Sequence, residues 1–276
     1  MKVVEVTPRP VDRSEYYRRF PTEDEVPGDP IVGPTTVVDA DTGEQLLVYA
    51  PAGAADLGPL LSAVQNIAIT PNPRANGTVA QSRTFGSDPR SPYYGRDCCH
   101  AASMAAEYPA EHSTLCDYGL ALEGTYRRLG PDRYGAQQAQ AAAILPEWRL
   151  SEDSVFTGGI VNRTTAYAWH TDGGNFSGAW SMMLCLRNKV VGGHLAIPGL
   201  GVKLACEDGY LALFDGQKLL HGVTPLRRVG RGAYRYTIVW YGLKNLSKCL
   251  PVGEELALGR RTRTEREERR AVADRG

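Results

Sequence analysis

No sign of charge dominates this 276-residue sequence: 31 Lys and Arg stand against 31 Asp and Glu, a formal net charge of zero. A protein that binds duplex nucleic acid normally carries a basic stripe, because neutralised phosphates supply most of its affinity. Zero net charge is compatible with a local stripe, but it points first to a small substrate. No run approaches the length of about 20 apolar residues that crosses a bilayer, so no membrane segment is expected. The opening MKVVEVTPRPVDRSEYYRRF has no apolar core behind basic residues, and no secretory signal is expected either. Six cysteines (Cys98, Cys99, Cys116, Cys185, Cys206, Cys249) include no CxxC spacing. They read as reduced and mostly buried, with adjacent Cys98 and Cys99 as a packed or exposed thiol pair rather than a chelate. These absences predict a cytoplasmic protein. A core of this size buries roughly three quarters of the unfolded chain's surface, so folding should need neither disulfides nor oligomerisation.

What is present falls into four stretches of a single expected domain over residues 1–276. Residues 1–105 are broken by Pro8, Pro10, Pro21, Pro27, Gly28 and Pro30. They read as a wrap and loops, with short β-prone pieces at 32–38 and 45–49 and a loop over 71–96. Residues 106–150 carry supporting helices. Leu115, Tyr118, Leu122 and Tyr126 recur at three or four residues before Gly130-Pro131, which predicts a helix over 110–129, and an Ala/Gln-rich run predicts another over 133–144. Residues 151–250 hold short β-rich pieces at 155–161, 166–170, 180–186, 194–197, 210–214 and 234–241, separated by Gly, Asn, Pro and Asp. Such punctuation predicts a mostly β core, an antiparallel sandwich or barrel with flanking helices. Residues 251–276 form a charged tail; from Gly259 on it has seven Arg against four Asp or Glu, a solvated helix or disordered segment.

The chemistry is carried by His170-Thr171-Asp172. In an extended strand, residues two apart share a face, so both side chains can reach one ion. His221, after the strand at 210–214 and in Leu220-His221-Gly222-Val223-Thr224-Pro225, is the best third ligand. Two histidines and one carboxylate leave open positions on the ion, the arrangement of non-haem iron(II) oxygenases. Fourteen residues further on, Arg235 stands in Tyr-Arg-Tyr-Thr-Ile-Val-Trp-Tyr. Burying an unpaired guanidinium is costly, and a carboxylate satisfies it bidentately. Arg235 is therefore the expected grip for the distal carboxylate of 2-oxoglutarate, with Thr237 on the same strand face as a second donor. Arg231, between two glycines, is the runner-up.

These residues also carry a family resemblance. Thr157–Asn162, His170–Asn175, Gly192-Gly193-His194-Leu195, Phe214-Asp215-Gly216, Leu220–Pro225 and Arg235–Val239 together resemble the TET and J-binding-protein branch of the Fe(II)/2-oxoglutarate-dependent dioxygenases. The resemblance implies a double-stranded β-helix (jelly-roll or cupin-like) core. It also implies iron ligands at His170, Asp172 and His221, 2-oxoglutarate on Arg235, and O2 as the second cosubstrate. Members of that branch oxidise methyl groups on nucleobases. This chain has no cysteine-rich zinc module and no evident basic DNA-binding domain, so the first expectation is hydroxylation of a free small molecule, amino-acid-like or nucleoside-like, in a biosynthetic pathway. A methylated base in DNA or RNA is the alternative within enzymes, and a non-catalytic β-barrel that binds a small ligand is the alternative outside them.

Asn162 is expected beside the cosubstrate or as a strand-end amide. Asn175 and Phe176 are expected at the pocket mouth, as substrate contacts or turn formers. His194 is a structural residue or a substrate contact, and Arg83 is a substrate contact or a solvated loop arginine.

Overall fold

The computed structural model describes residues 1–53, 56–73, 79–91, 95–163 and 166–273. The N-terminal part contributes strands β1 (Lys2–Val6), β2 (Thr35–Asp39) and β3 (Gln45–Pro51), helix α1 (Gly58–Asn66), then β4 (Pro71–Pro73), β5 (Val79–Asp88) and β6 (His100–Ala101). Helices α2 (Met104–Glu107), α3 (Pro109–Leu129) and α4 (Pro131–Ala141) follow. The remainder is β7 (Gly158–Arg163), β8 (Tyr167–His170), β9 (Ser181–Asn188), β10 (Val190–Gly192), β11 (Leu195–Ile197), β12 (Val202–Leu204), β13 (Tyr210–Phe214), β14 (His221–Val223), β15 (Leu226–Arg228), β16 (Tyr234–Tyr241) and helix α5 (Val252–Ala273).

Two sheets make the core. The large one runs β1-β2-β3-β13-β9-β16-β7-β5-β4, and the small one runs β12-β11-β14-β8. Period-2 alternation decides which sheet face each residue serves. On β16, Tyr236, Ile238 and Trp240 pack against the helices through Leu115, Leu122 and Tyr126. The odd-numbered Thr237, Val239 and Tyr241 line a cavity on the opposite face. A second apolar cluster joins the sheets, with Met183, Cys185 and Phe214 from the large one and Leu195, Ile197 and Leu204 from the small one. The helices thus cover the outside of the large sheet and leave its inner face for the site.

Two expectations need correction, and the tail takes the helical form expected of it. Residues 71–96 are not simply loop: β5 is ten residues long and pairs with β7, Arg83 opposite Val161. Its alternation is masked in the sequence by Gln81, Ser82, Arg83 and Thr84, whose polar side chains suit a strand that is only partly covered. Cys99 and Cys249 are not reduced thiols but a disulfide across 150 residues, so the cytoplasmic expectation loses the support it drew from the cysteines. Cys98, Cys116, Cys185 and Cys206 are free. The charged tail is helix α5, anchored at its start: Glu255 is fully buried and accepts from the amides of Cys99 and Leu250, both at 2.8 Å. The last residues of that tail, 274–276, lie outside the described residues. No helix among the described residues is long and apolar enough to cross a membrane.

Candidate functional site

β8 and β14 are antiparallel neighbours, and His170 pairs directly with His221. Their rings stand 4.3 Å apart, centroid to centroid. Asp172 follows the end of β8 rather than continuing it, and its amide donates to the Gly216 carbonyl at 2.8 Å. The Nε2 atoms of His170 and His221 each lie 3.8 Å from Asp172 Oδ1. That spacing is too long for a hydrogen bond, but it suits three donors around one ion. Tautomers agree with this geometry. The Nδ1 of His170 faces the Ala168 carbonyl and that of His221 faces the Leu219 carbonyl, both at 2.9 Å. A carbonyl only accepts, so each Nδ1 keeps its proton and each Nε2 turns a lone pair toward Asp172. Two neutral imidazoles and a carboxylate, all partly or fully buried, fit a ferrous ion.

The Asp172 carboxylate is held from two sides. Ser181 donates toward its Oδ2 at 3.5 Å, and Asn175 Nδ2 donates to Ser181 Oγ at 3.1 Å. Gly216 lies so close that a Cβ there would stand 2.2 Å from Oδ2. Ser181 carries no motif that would single it out. Asn175 lines the cavity, but its amide is committed to Ser181, so it supports the carboxylate.

Arg235 sits on the cavity face of β16, two residues below Thr237, and is only 2% exposed. Gly193 makes room for it, since a Cβ there would meet Arg235 Nε at 3.1 Å. Above it runs a chain of hydrogen bonds: Tyr167 Oη donates to Asn162 Oδ1 at 2.6 Å, and Asn162 Nδ2 donates to Thr237 Oγ1 at 3.2 Å. Tyr167 was missed because strict alternation puts it and His170 on opposite faces. The register shift between His221 and Val223, which pair with His170 and Tyr167, is a bulge that turns both into the cavity. The cavity measures about 550 Å³ and extends from Thr237 past the three ligands to Arg13, Tyr16 and Tyr17 of the N-terminal wrap.

Five sequence candidates are not among the residues that line it: Arg235, buried two residues before Thr237 on the same strand, and four others. Phe176 is buried against Gly242 in a cluster with Trp148 and Leu246. His194 faces Glu23 at 3.2 Å, and burial lowers its pKa while Glu23 raises it. Arg83 is paired with Glu107 at 2.7 Å and lies over the Tyr108 ring. Arg231 is exposed in the turn before β16. The other cluster of metal-ligating residue types, Cys99, Cys249 and Glu255, offers no open ligand, because both sulfurs are bonded and both carboxylate oxygens hold amides.

A double-stranded β-helix with two histidines and an aspartate on its inner wall is the architecture of an iron(II)- and 2-oxoglutarate-dependent dioxygenase. Residues 95–244, more than half of the chain, match the Tet_JBP family, the oxygenase domain of the 2OGFeDO superfamily. The chain belongs to that family, and the superfamily works with Fe(II), 2-oxoglutarate and O2. Among characterised relatives, the bifunctional helicase and thymine dioxygenase JBP2 of Trypanosoma cruzi is 31% identical over 122 residues, 44% of this chain. The match spans 11% of that relative's length. Among solved structures, NgTET1 in complex with 5mC DNA superposes with a TM-score of 0.59 at 11% identity, covering 86% of this chain and 88% of that one. At that identity the likeness is one of fold.

Proposed function

We propose that this chain works as one oxygenase domain that hydroxylates a methyl group on a nucleobase, using His170, Asp172 and His221 to hold iron and Arg235 with Thr237 to hold the tail of 2-oxoglutarate. The carrying observation is the match to a thymine dioxygenase, alongside a family match over residues 95–244 that contains the metal ligands. A cavity of about 550 Å³ beside those ligands is of a size that takes a small ligand whole, and a base swung out of its stack is such a ligand.

Bound iron with 2-oxoglutarate and O2 supplies the oxidant for a C–H bond, and the keto acid leaves as succinate and CO2. The protein's part is placement. The Nδ1 bonds to Ala168 and Leu219 fix both imidazoles, and Ser181 and Gly216 fix the carboxylate. Arg235 offers a buried charge to the distal carboxylate. Phe214, edge-on to His221 at 5.1 Å, with Met183 and Leu195 keeps the walls apolar and excludes water from around the reacting bond.

A free nucleoside is the small-molecule form of the same chemistry, and a formal charge of zero gives no general attraction to a polyanion. The test is to supply Fe(II), 2-oxoglutarate and O2 with methylated nucleosides or with methylated oligonucleotides, and to measure succinate at low and high salt. Stimulation by oligonucleotides, lost as salt rises, supports the polymer. Stimulation by nucleosides alone supports the free base unit. Stimulation by neither, with amino acids active instead, overturns the nucleobase reading.

A further inference from the structure

The wrap residues that reach the cavity stand on a segment pinned next to two of the iron ligands. Trp169, the neighbour of His170, donates its amide to the Arg19 carbonyl at 2.8 Å. Gly222, the neighbour of His221, packs so tightly on Pro21 that a Cβ there would come within 2.7 Å of Pro21 Cγ. At the other end, the Asp12 carboxylate accepts from Ser14 N at 2.9 Å and caps the single turn Arg13–Tyr16. Between these anchors Arg18 is held at φ +59°, a left-handed conformation that disfavours residues with a side chain.

The segment presents rings and cations to the opening. Tyr16 stands edge-on to Trp169 at 5.3 Å. Tyr17 lines the cavity yet is 58% exposed, with the Arg18 guanidinium 5.1 Å from its centroid. Arg13 also lines the cavity and is exposed, its guanidinium donating to the Lys218 backbone carbonyl at 3.5 Å, so an exposed cation stands beside the rings. The nearby charges are divided unevenly. Arg19 is paired with Glu25, Asp12 is engaged in capping, Glu15 is exposed on the same turn, and among the described residues Arg13 and Lys218 enter no ion pair.

Exposed aromatic faces beside cations are how proteins hold an unstacked base and its phosphate. We infer that residues 13–18 form a substrate lip, in which Tyr17 stacks a nucleobase at the cavity mouth while Arg13 takes the phosphate attached to it. This inference rests on the nucleobase reading above. The required chemistry, a base carrying a phosphate, is common to a free nucleotide and to a unit of a single strand.

The test uses the full chain loaded with Mn(II) and 2-oxoglutarate, which binds without turnover. Its probes are thymidine, thymidine 5′-monophosphate and a short oligothymidylate. Tyr17→Ala should weaken all three by about 10-fold, the value of one stacked base, and Tyr17→Phe should restore them. Arg13→Ala should weaken the two phosphorylated probes by roughly 10-fold at low salt and leave thymidine and 2-oxoglutarate affinity unchanged. A wild-type preference for the oligomer or for the mononucleotide identifies the source of the phosphate. If the wild type binds these probes and both alanine variants bind them equally well, the lip is wrong while the nucleobase reading stands. If the wild type binds none of them, both fail.

Discussion

Gly216 and Asp172 are in direct contact: a Cβ on Gly216 would lie 2.2 Å from Asp172 Oδ2 and 3.4 Å from His221 Cε1. The glycine is therefore a condition of the ligand geometry, since only a residue without a side chain lets the carboxylate sit between the two imidazoles. Gly216→Ala should push Asp172 off its position and weaken Mn(II) or Fe(II) binding by about 10- to 100-fold, as loss of a supporting contact does. Calorimetric metal titration measures this. An affinity equal to wild type would show that Asp172 moves freely.

The sheet that holds this pair was legible because its strands are short, β-branched or aromatic, and punctuated by turns; 210–214 and 234–241 match the strands residue for residue. The His-x-Asp pair and the distal histidine were legible because their residue types and spacing could meet at one ion, and the three side chains do converge; Arg235 stood out as a charge in a strand of bulky apolar residues, and it is buried. What escaped was geometry that spacing does not encode. The β8 bulge brings Tyr167 beside His170, and β5 has a partner 80 residues away in the pairing of Ser82 with Asn162 that no local pattern announces once polar residues fill it. The Cys99–Cys249 bond is invisible for the same reason. Arg83 and His194 failed as contacts because Glu107 and Glu23, their partners in space, are distant or unremarkable in the sequence.

Arg235→Lys keeps the charge and loses the fork. The KM for 2-oxoglutarate should rise by about 100-fold, with a smaller fall in kcat at saturation. Thr237→Ala, which removes one donor and the end of the Tyr167–Asn162 chain, should cost about 10-fold. Steady-state succinate formation against 2-oxoglutarate concentration separates the two. An unchanged KM in Arg235→Lys would place the diacid elsewhere.

Reducing the Cys99–Cys249 bond frees a loop closed across 150 residues, a constraint worth about 2–4 kcal/mol. Dithiothreitol, or Cys249→Ser, should lower Tm by about 5–10 °C without altering the metal affinity of the folded protein. Calorimetry with and without reductant reads this, and an identical Tm would mean that the bond contributes nothing.

Glu123 is buried among Ser154, Tyr134 and the Val155 amide, and burial raises its pKa above the ordinary 4.5 despite those bonds. The folded protein thus holds this proton more tightly than the unfolded chain, so stability is lost as pH rises from about the unfolded value through the folded one. Glu123→Gln should remove that decline. Denaturant midpoints across pH 4–8 test it; a variant with the same slope as wild type would assign the decline to another group.

The whole account turns on one ferrous ion bound by His170, Asp172 and His221 with 2-oxoglutarate anchored behind it. Anaerobic titration with Fe(II) and then 2-oxoglutarate, followed in the visible range, addresses it directly. A weak charge-transfer band should grow to one equivalent in the wild type and be missing in Asp172→Ala, which should also form no substrate-dependent succinate in air. A wild type that shows no band, or an Asp172→Ala variant that shows the full band and normal turnover, would contradict it.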